Sequence, residues 1–284
     1  MDLRASYRLC QEITKREAKN FYYAFITLPR DKRRAIYAVY AFCRQADDIA
    51  DVSAPIEEKK TRLDRLRERL VRASKGDAGD GIDIALSDAI SRYRIDSRDL
   101  SNVIDGVEMD LSISRYETFE DLKAYCYRVA SAVGLSVLPI LAGGAGLLPD
   151  EARALGERLG LGMQLANIVR DVGEDIAIDR VYIPQEDLRR YQVTEGMLRS
   201  GTMNDQVRDL LAFESERALR YMRAGRRVSR YLPRNARGCI DLLAEIYTRI
   251  MKTAKARDYD VFKERVSLPT HEKLLLILRS WFAR

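Results

Sequence analysis

Helical periodicity is the feature that most constrains how this chain folds. Between residues 31 and 50, apolar residues recur at steps of three and four, through Ile36, Val39 and Cys43. This is the spacing of one face of an α-helix. The same period predicts further helices over residues 56–73, 97–115, 119–141, 149–177, 194–230, 236–255 and 271–282. Alternating patterns typical of strands are scarce, so the sequence predicts an all-α fold.

The composition and the positions of the prolines indicate one globular domain that spans residues 1–284. The chain is 46% hydrophobic and 32% charged, with only 7 prolines and 16 glycines, which excludes disordered and collagen-like classes. Pro184, Pro233 and Pro269 lie between helical patterns and mark connections instead of a domain linker. Gly160 and Gly162 lie inside a helical pattern, where we expect them to allow close helix packing.

Cysteine and histidine usage excludes several classes of site. The four cysteines include no CxxC pair, which predicts reduced, buried thiols in a cytoplasmic protein. The single histidine, His271, excludes histidine-rich zinc sites and disfavours a Ser-His-Asp triad. We find no uninterrupted apolar run of membrane-spanning length and no signal peptide, so a soluble or peripheral protein is expected. The formal net charge of +6 favours polyanions, phosphorylated small molecules or anionic lipid as partners.

A first stripe of polar residues follows the helix predicted before residue 51. At 100° per residue, Tyr40, Arg44, Asp47 and Asp51 fall on one face, whereas Asp48 points away from it. The Asp47 and Asp51 carboxylates are one turn apart and can therefore reach a common ligand.

A second stripe has the same character. Gln164, Asn167, Asp171 and Asp175 are spaced three, four and four residues apart, beside an apolar arc. Two unit charges about 4 Å apart in a partly buried site repel by about 4 kcal/mol, so paired carboxylates call for a cation. Oxygen ligands without histidine favour Mg²⁺, for which Mn²⁺ can substitute.

Carboxylate-bound Mg²⁺ beside arginines suits a diphosphate substrate. If diphosphate leaves an allylic carbon, the metal and cationic side chains stabilise the leaving group. The remaining carbocation needs a dry cavity lined by aromatic rings.

Five segments together resemble the squalene/phytoene synthases, in the order in which that family carries them. They are residues 21–25 (FYYAF), 38–51, 127–134 (YRVASAVG), 164–175 and 179–184 (DRVYIP). The resemblance implies a single-domain isoprenoid synthase fold, a helical bundle around a central cavity. It also implies head-to-head (1′-1) condensation of two polyprenyl diphosphates through a cyclopropyl diphosphate.

The resemblance also implies roles for individual residues. Metal ligands would be Asp47, Asp51, Asn167, Asp171 and Asp175. Substrate would be bound by Lys19, Asn20, Arg44, Gln164, Asn167, Arg170 and Arg265, and the reacting centre would include Tyr40, Arg44, Tyr127 and Tyr247.

The product is the least determined property at this level. We expect two farnesyl diphosphates to give presqualene diphosphate or squalene, with phytoene synthase (two geranylgeranyl diphosphates) and dehydrosqualene synthase as alternatives. The use of NADPH is left open. A more distant alternative is a terpene cyclase or a head-to-tail prenyltransferase, whose usual second acidic motif has a different spacing.

Partners other than substrate are open to two readings. An arginine-rich stretch over residues 223–237 is consistent with a solvated helix face or with attraction to anionic lipid; a nucleic-acid partner is not expected, because it leaves the carboxylate stripes unexplained. The segment from Leu274 to Phe282 fits either a last core helix or an amphipathic anchor at the inner face of the plasma membrane. Downstream isoprenoid enzymes are further expected partners.

Overall fold

The structure is a computed structural model that describes residues 1–18, 21–79, 81–144, 146 and 148–282. Within these residues it contains helices but no β-strand, and one isolated bridge joins Arg115 to Val181. The all-α prediction is confirmed. The α-helices are α1 (Leu3–Glu17), α2 (Phe21–Phe25), α3 (Arg30–Asp51), α4 (Ile56–Ser74), α5 (Gly81–Tyr93), α6 (Ser97–Met109), α7 (Phe119–Cys126), α8 (Ala132–Ala142), α9 (Asp150–Ala177), α10 (Gln185–Arg190), α11 (Glu195–Arg199), α12 (Asp205–Gly225), α13 (Arg234–Ala256) and α14 (Thr270–Phe282).

Two short helical segments of other types complete the path of the chain. A π-helical turn over Tyr127–Ser131 joins α7 to α8, and a 3₁₀ segment over Arg226–Tyr231 joins α12 to α13. Single π-turns inside helices often lie near functional sites.

Glycines allow α9, the longest helix described, to pack closely against its neighbours. A Cβ atom added at Gly160 would lie 2.6 Å from Cα of Ser131, and one at Gly162 would lie 2.6 Å from the backbone nitrogen of Met222 on α12. The prediction that these two glycines permit close packing is confirmed. Gly225, at the end of α12, lies against α9 in the same way, because an added Cβ would be 2.2 Å from the backbone nitrogen of Leu159.

Gly225→Ala is therefore expected to destabilise the fold, by roughly 3 kcal/mol, because backbone cannot move aside for the methyl group. Gly196→Ala is the matched control, since the nearest atom to its added Cβ is Oγ1 of Thr194 at 3.6 Å. That change should be neutral or stabilising by up to about 1 kcal/mol, as for alanine in place of a helical glycine. Urea unfolding of both variants measures the difference; equal stabilities would contradict the close-packing argument.

Two predicted helices end earlier than the sequence pattern suggested. The helix predicted over 97–115 ends at Met109, after which Asp110 accepts side-chain hydrogen bonds described below. The helix predicted over 194–230 is interrupted at Gly201, whose φ of +63° lies in the left-handed region. A new helix then begins after Asn204, whose Oδ1 accepts a hydrogen bond from the backbone nitrogen of Val207 at 2.9 Å.

Four helices were not predicted at all. They are α1, α2, α5 and α10, which are short, polar or adjacent to a glycine-rich stretch. Such helices are stabilised mainly by packing against neighbouring helices. For example, α1, α3 and α5 pack against one another.

The buried apolar residues form one continuous core, and all four cysteines are buried thiols, as predicted. Within the described part of the chain, one helical stretch, Phe119–Ala142, is long and apolar enough by length and composition to cross a membrane, with 50% of its most apolar window buried inside the protein. Much of its remaining apolar surface faces the cavity described below.

The C-terminal helix α14 packs on α13 and α2. Leu276 and Ile277 are buried in this contact, whereas Leu274 and Leu275 are about half exposed. The described part of α14 is therefore partly core; side chains beyond Ile277 lie outside the described residues.

Candidate active site

A largely apolar cavity of about 280 Å³ lies between α3, α8, α9 and α13. Its wall includes Phe21, Phe25, Ile36, Val39, Val129, Val133, Val137, Leu141, Leu159, Met163, Val228 and Leu243. Its polar lining residues are Tyr40, Arg44, Asp47, Gln164 and Asn167. These come from both predicted stripes, so α3 and α9 face one shared space.

The α3 stripe places its polar residues at the mouth of this cavity. The Nε atom of Arg44 donates to Oδ1 of Asp48 at 2.7 Å, and its Nη2 lies 3.3 Å from Oδ2 of Asp51. Asp47 reaches solvent at the mouth, yet the surrounding walls leave its carboxyl poorly hydrated. Burial raises the pKa of Tyr40 above its ordinary value, so its hydroxyl stays protonated and able to donate.

On α9, Asn167 carries an unsatisfied acceptor that faces this space. Its Nδ2 donates to Oε1 of Gln164 at 3.2 Å, and its side chain opposes the rise that burial causes in the pKa of Tyr247. Its Oδ1 is buried and has no hydrogen-bond partner. A buried oxygen without a hydrogen-bond partner lowers the stability of the fold unless a bound ligand interacts with it.

Asp171 is held by two arginines. Nε and Nη2 of Arg265 donate to its two oxygens at 2.9 and 3.0 Å, and the buried Arg170 side chain donates to both oxygens as well. The charge of Arg170 also opposes the rise that burial causes in the pKa of Tyr247. The arginines expected to bind diphosphate therefore neutralise a metal-ligand candidate in this structure.

Electrostatic coupling shows that the two carboxylate stripes belong to one site. Burial raises the pKa of Asp47 to about 7, opposed by Arg44 and reinforced by Asp51 and Asp110. Burial also raises the pKa of Asp175 to about 7, reinforced by Asp171 and Asp110. Because Asp110 acts on both carboxyls, it lies between the stripes.

Asp110 was missed by sequence reasoning. Tyr125 and Tyr182 donate hydrogen bonds to its two carboxyl oxygens at 3.0 and 2.9 Å, and Arg180 donates to its backbone carbonyl. Asp110 follows Val103 by seven positions and shares its helix face, but only the structure shows that Val103 lines the cavity, so the sequence alone gave no signal for Asp110.

Tyr127 was predicted at the reacting centre, and this role stays a prediction. It does not line the cavity, and its charged neighbours are Asp99, Glu157, Arg153 and Arg128. Val129, Ala130 and Val133 line the cavity in the same stretch of chain. Tyr125 is buried, and its hydroxyl donates a hydrogen bond to Asp110.

The other predicted residues are distributed as follows. Tyr247 is buried behind the mouth, with its ring centre 6.2 Å from that of Phe21. Lys19 and Asn20 lie outside the described residues, so their predicted substrate contacts stay predictions.

These residues fit a divalent metal bound together with substrate. Among the described residues, no three acidic, histidine or cysteine side chains converge closely enough to hold an ion by themselves. The donors are hard oxygens from carboxylates and the orphaned Oδ1 of Asn167, which suits Mg²⁺ completed by diphosphate oxygens and water.

Mg²⁺ with inorganic diphosphate is expected to raise the thermal midpoint more at about pH 8 than at about pH 6. The raised pKa values of Asp47 and Asp175, about 7 in place of 3.8, mean that the folded protein keeps protons which the unfolded chain has lost. The free energy of unfolding that these two groups contribute therefore falls as pH rises from the lower to the higher of these pKa values. A metal that binds only the deprotonated carboxylates restores this stability. The double variant Asp47→Asn/Asp175→Asn controls for titration of diphosphate itself. An equal gain at both pH values in the wild-type protein would contradict the prediction.

Comparison with known proteins agrees with this geometry. The profile of the squalene/phytoene synthase family matches residues 14–272. This chain belongs to that family. Squalene/phytoene synthases transfer prenyl groups, so the protein is a prenyltransferase of the head-to-head class that acts on polyprenyl diphosphates.

Individual family members extend the comparison. Over 284 residues the chain is 36% identical to 15-cis-phytoene synthase of Synechococcus elongatus, covering 96% of this chain and 91% of that protein. A solved dehydrosqualene synthase superposes with a TM-score of 0.90 at 29% identity, covering 99% of this chain and 97% of the other. Squalene synthase HpnC from Alicyclobacillus acidocaldarius gives a TM-score of 0.84 at 30% identity, covering 90% and 95%. The isoprenoid synthase fold is thereby confirmed.

Proposed function

We propose that this enzyme condenses two geranylgeranyl diphosphates head to head and forms phytoene. The observation that carries the chemistry is an apolar cavity whose polar lining includes Asp47 of the α3 stripe together with Gln164 and Asn167 of the α9 stripe. Two cyanobacterial relatives at 36% and 37% identity are named 15-cis-phytoene synthase. They support the C20 substrate over the farnesyl diphosphate expected from the sequence.

The carboxylates of Asp47, Asp51, Asp171 and Asp175, with Oδ1 of Asn167, would hold Mg²⁺. When bound, Mg²⁺ supplies positive charge that stabilises the departing diphosphate.

The arginine side chains of the site would stabilise the diphosphate together with the metal. Arg44, Arg170 and Arg265 are paired with carboxylates on α3 and α9, and they would contact a diphosphate bound with the metal there. Bidentate guanidinium groups match phosphate oxygens geometrically. The protonated Tyr40 hydroxyl is placed at the mouth to donate to the same group.

The apolar wall protects the cation that remains after diphosphate leaves. A dry cavity excludes water that would quench an allylic or cyclopropylcarbinyl cation. The rings of Phe21 and Tyr40 at the wall offer their faces to positive charge. Because phytoene forms by loss of a proton, we expect no requirement for NADPH.

A second candidate is condensation of two farnesyl diphosphates to a C30 product. It is supported by the two structural neighbours, whose names are dehydrosqualene synthase and squalene synthase.

Incubation with C15 and C20 diphosphates and Mg²⁺, with and without NADPH, followed by mass spectrometry, tests the proposal. We expect a C40 hydrocarbon from the C20 substrate, independent of NADPH and abolished by EDTA. A C30 product made in preference would favour the second candidate. A cyclised C20 monomer or a chain-elongated diphosphate would refute head-to-head condensation by this protein.

A further inference from the structure

The end of the cavity opposite its mouth is closed where several helices meet. The first turn of α3 lies there, because the last turns of α3 carry the mouth carboxylates. Nζ of Lys32 donates to the backbone carbonyl of Leu141 at 2.6 Å and lies 3.4 Å from Oδ1 of Asn235. The start of α3, the end of α8 and the start of α13 therefore come together over this deep end.

The 3₁₀ segment between α12 and α13 covers the same end. Its buried Val228 lines the cavity. Its last residue, Tyr231, donates to Glu151 at 2.5 Å, and Glu151 lies in the first turn of α9, far from the mouth residues of that helix.

Six arginines surround this deep end, and within the described chain none of them forms an ion pair with a carboxylate. We call them the basic cap: Arg4, Arg30, Arg34, Arg227, Arg230 and Arg234. Two carboxylates lie in the cleft beside them: Asp31 pairs with Arg92 at 2.8 Å, and Asp88 accepts a hydrogen bond from the Tyr7 hydroxyl at 2.6 Å, so arginines outnumber acidic residues in its lining.

Two helix N-termini add to this positive potential. Both α3 and α13 begin after a proline that provides no side-chain cap, and α13 has no acidic residue in its first turn. The positive end of a helix dipole disfavours arginines such as Arg30 and Arg234. An anionic partner would relieve this repulsion.

The basic cap also borders a cleft and exposed apolar side chains. Arg4, Arg30 and Arg34 line an open cleft of about 490 Å³. Leu3, which is 41% exposed, lines the cleft too, and the neighbouring Met1 is 72% exposed.

We propose that the basic cap docks on an anionic lipid bilayer and holds the hydrocarbon end of the cavity against the membrane. The benefit to product transfer rests on the proposed function, because a C30 or C40 hydrocarbon needs an apolar destination. Arginines near an anionic leaflet each contribute favourably, and apolar side chains beside them can enter the interface. The arginines are spread over α1, α3, α13 and the 3₁₀ segment, which suits a surface better than a single free anion.

Sedimentation with phosphatidylcholine vesicles, with and without phosphatidylglycerol, tests this proposal in the absence of substrate. Arg30→Glu/Arg34→Glu/Arg234→Glu should weaken binding to anionic vesicles by roughly a hundredfold or more. The matched control is Arg65→Glu/Lys252→Glu/Lys255→Glu, which changes net charge equally at exposed residues without ion pairs in the described chain. The control should retain most of the binding, and high salt should release the wild-type protein.

Each alternative outcome counts against the docking surface. Equal binding of wild-type protein to neutral and anionic vesicles, or equal losses in both triple variants, would overturn it. Displacement from vesicles by millimolar inorganic phosphate or by duplex DNA at matched ionic strength would assign the cap to a free anion or to nucleic acid. Circular dichroism and prenyl condensation in detergent should be unchanged in both variants. Vesicle binding by a protein that makes no condensation product would refute the proposed function alone.

Discussion

Asp47→Asn is expected to lower kcat/KM by roughly a thousandfold or more while the protein stays folded. Asparagine keeps the size of the side chain but removes the negative charge at the cavity mouth. The pKa of Asp47 is raised to about 7 by burial and by Asp51 and Asp110, so this position already carries unfavourable like-charge repulsion. This repulsion lowers the stability of the fold. We therefore infer that the negative charge of Asp47 is kept because it binds a cation.

Asp48→Asn provides the matched control, because Asp48 is adjacent on α3 but lies outside the cavity lining and its side chain is 60% exposed. We expect its activity to stay within about tenfold of wild type, since only an exposed ion pair with Arg44 is lost. Steady-state assays and far-ultraviolet circular dichroism measure both variants. Near-wild-type, Mg²⁺-dependent activity of Asp47→Asn would show that its assigned role as a metal ligand is wrong.

Arg217→Met is expected to cost about 3–5 kcal/mol of folding free energy. The Arg217 side chain, 10% exposed, donates to Asp187 at 2.7 Å and to Glu214 at 2.8 Å, joining α10 to α12. It also lies 4.1 Å from the ring centre of Phe119. Removal of the guanidinium leaves two buried carboxyls without their shared cation.

Arg223→Met, on the same helix, is the matched control. Arg223 pairs with Glu216 at 2.7 Å, but the two side chains are 62% and 57% exposed. An exposed pair contributes at most about 1 kcal/mol, so this variant should remain close to wild type in urea unfolding. If the two variants have equal stability, the buried network does not hold α10 against α12.

Helical periodicity was sufficient to predict the long helices because each buries one apolar face. The bounds of α3, α4, α9 and α13 follow the sequence pattern within about two residues. The predicted helix ran through the break at Gly201, because the left-handed backbone there belongs to the folded turn.

The stripe argument also predicted most of the site, since side chains three and four residues apart share a helix face. It did not supply Tyr127, whose predicted role came from the family resemblance and not from spacing.

The sequence by itself determined that the chain is helical and that two helices each carry a row of metal-binding oxygens, because these properties depend on residues close together along the chain. Only the tertiary structure decided that the rows face each other across one cavity, that Asp110 lies between them and that unpaired arginines surround the opposite end. Those properties depend on residues up to a hundred positions or more apart, as with Lys32 and Leu141, whose proximity is set by helix packing and by no local pattern.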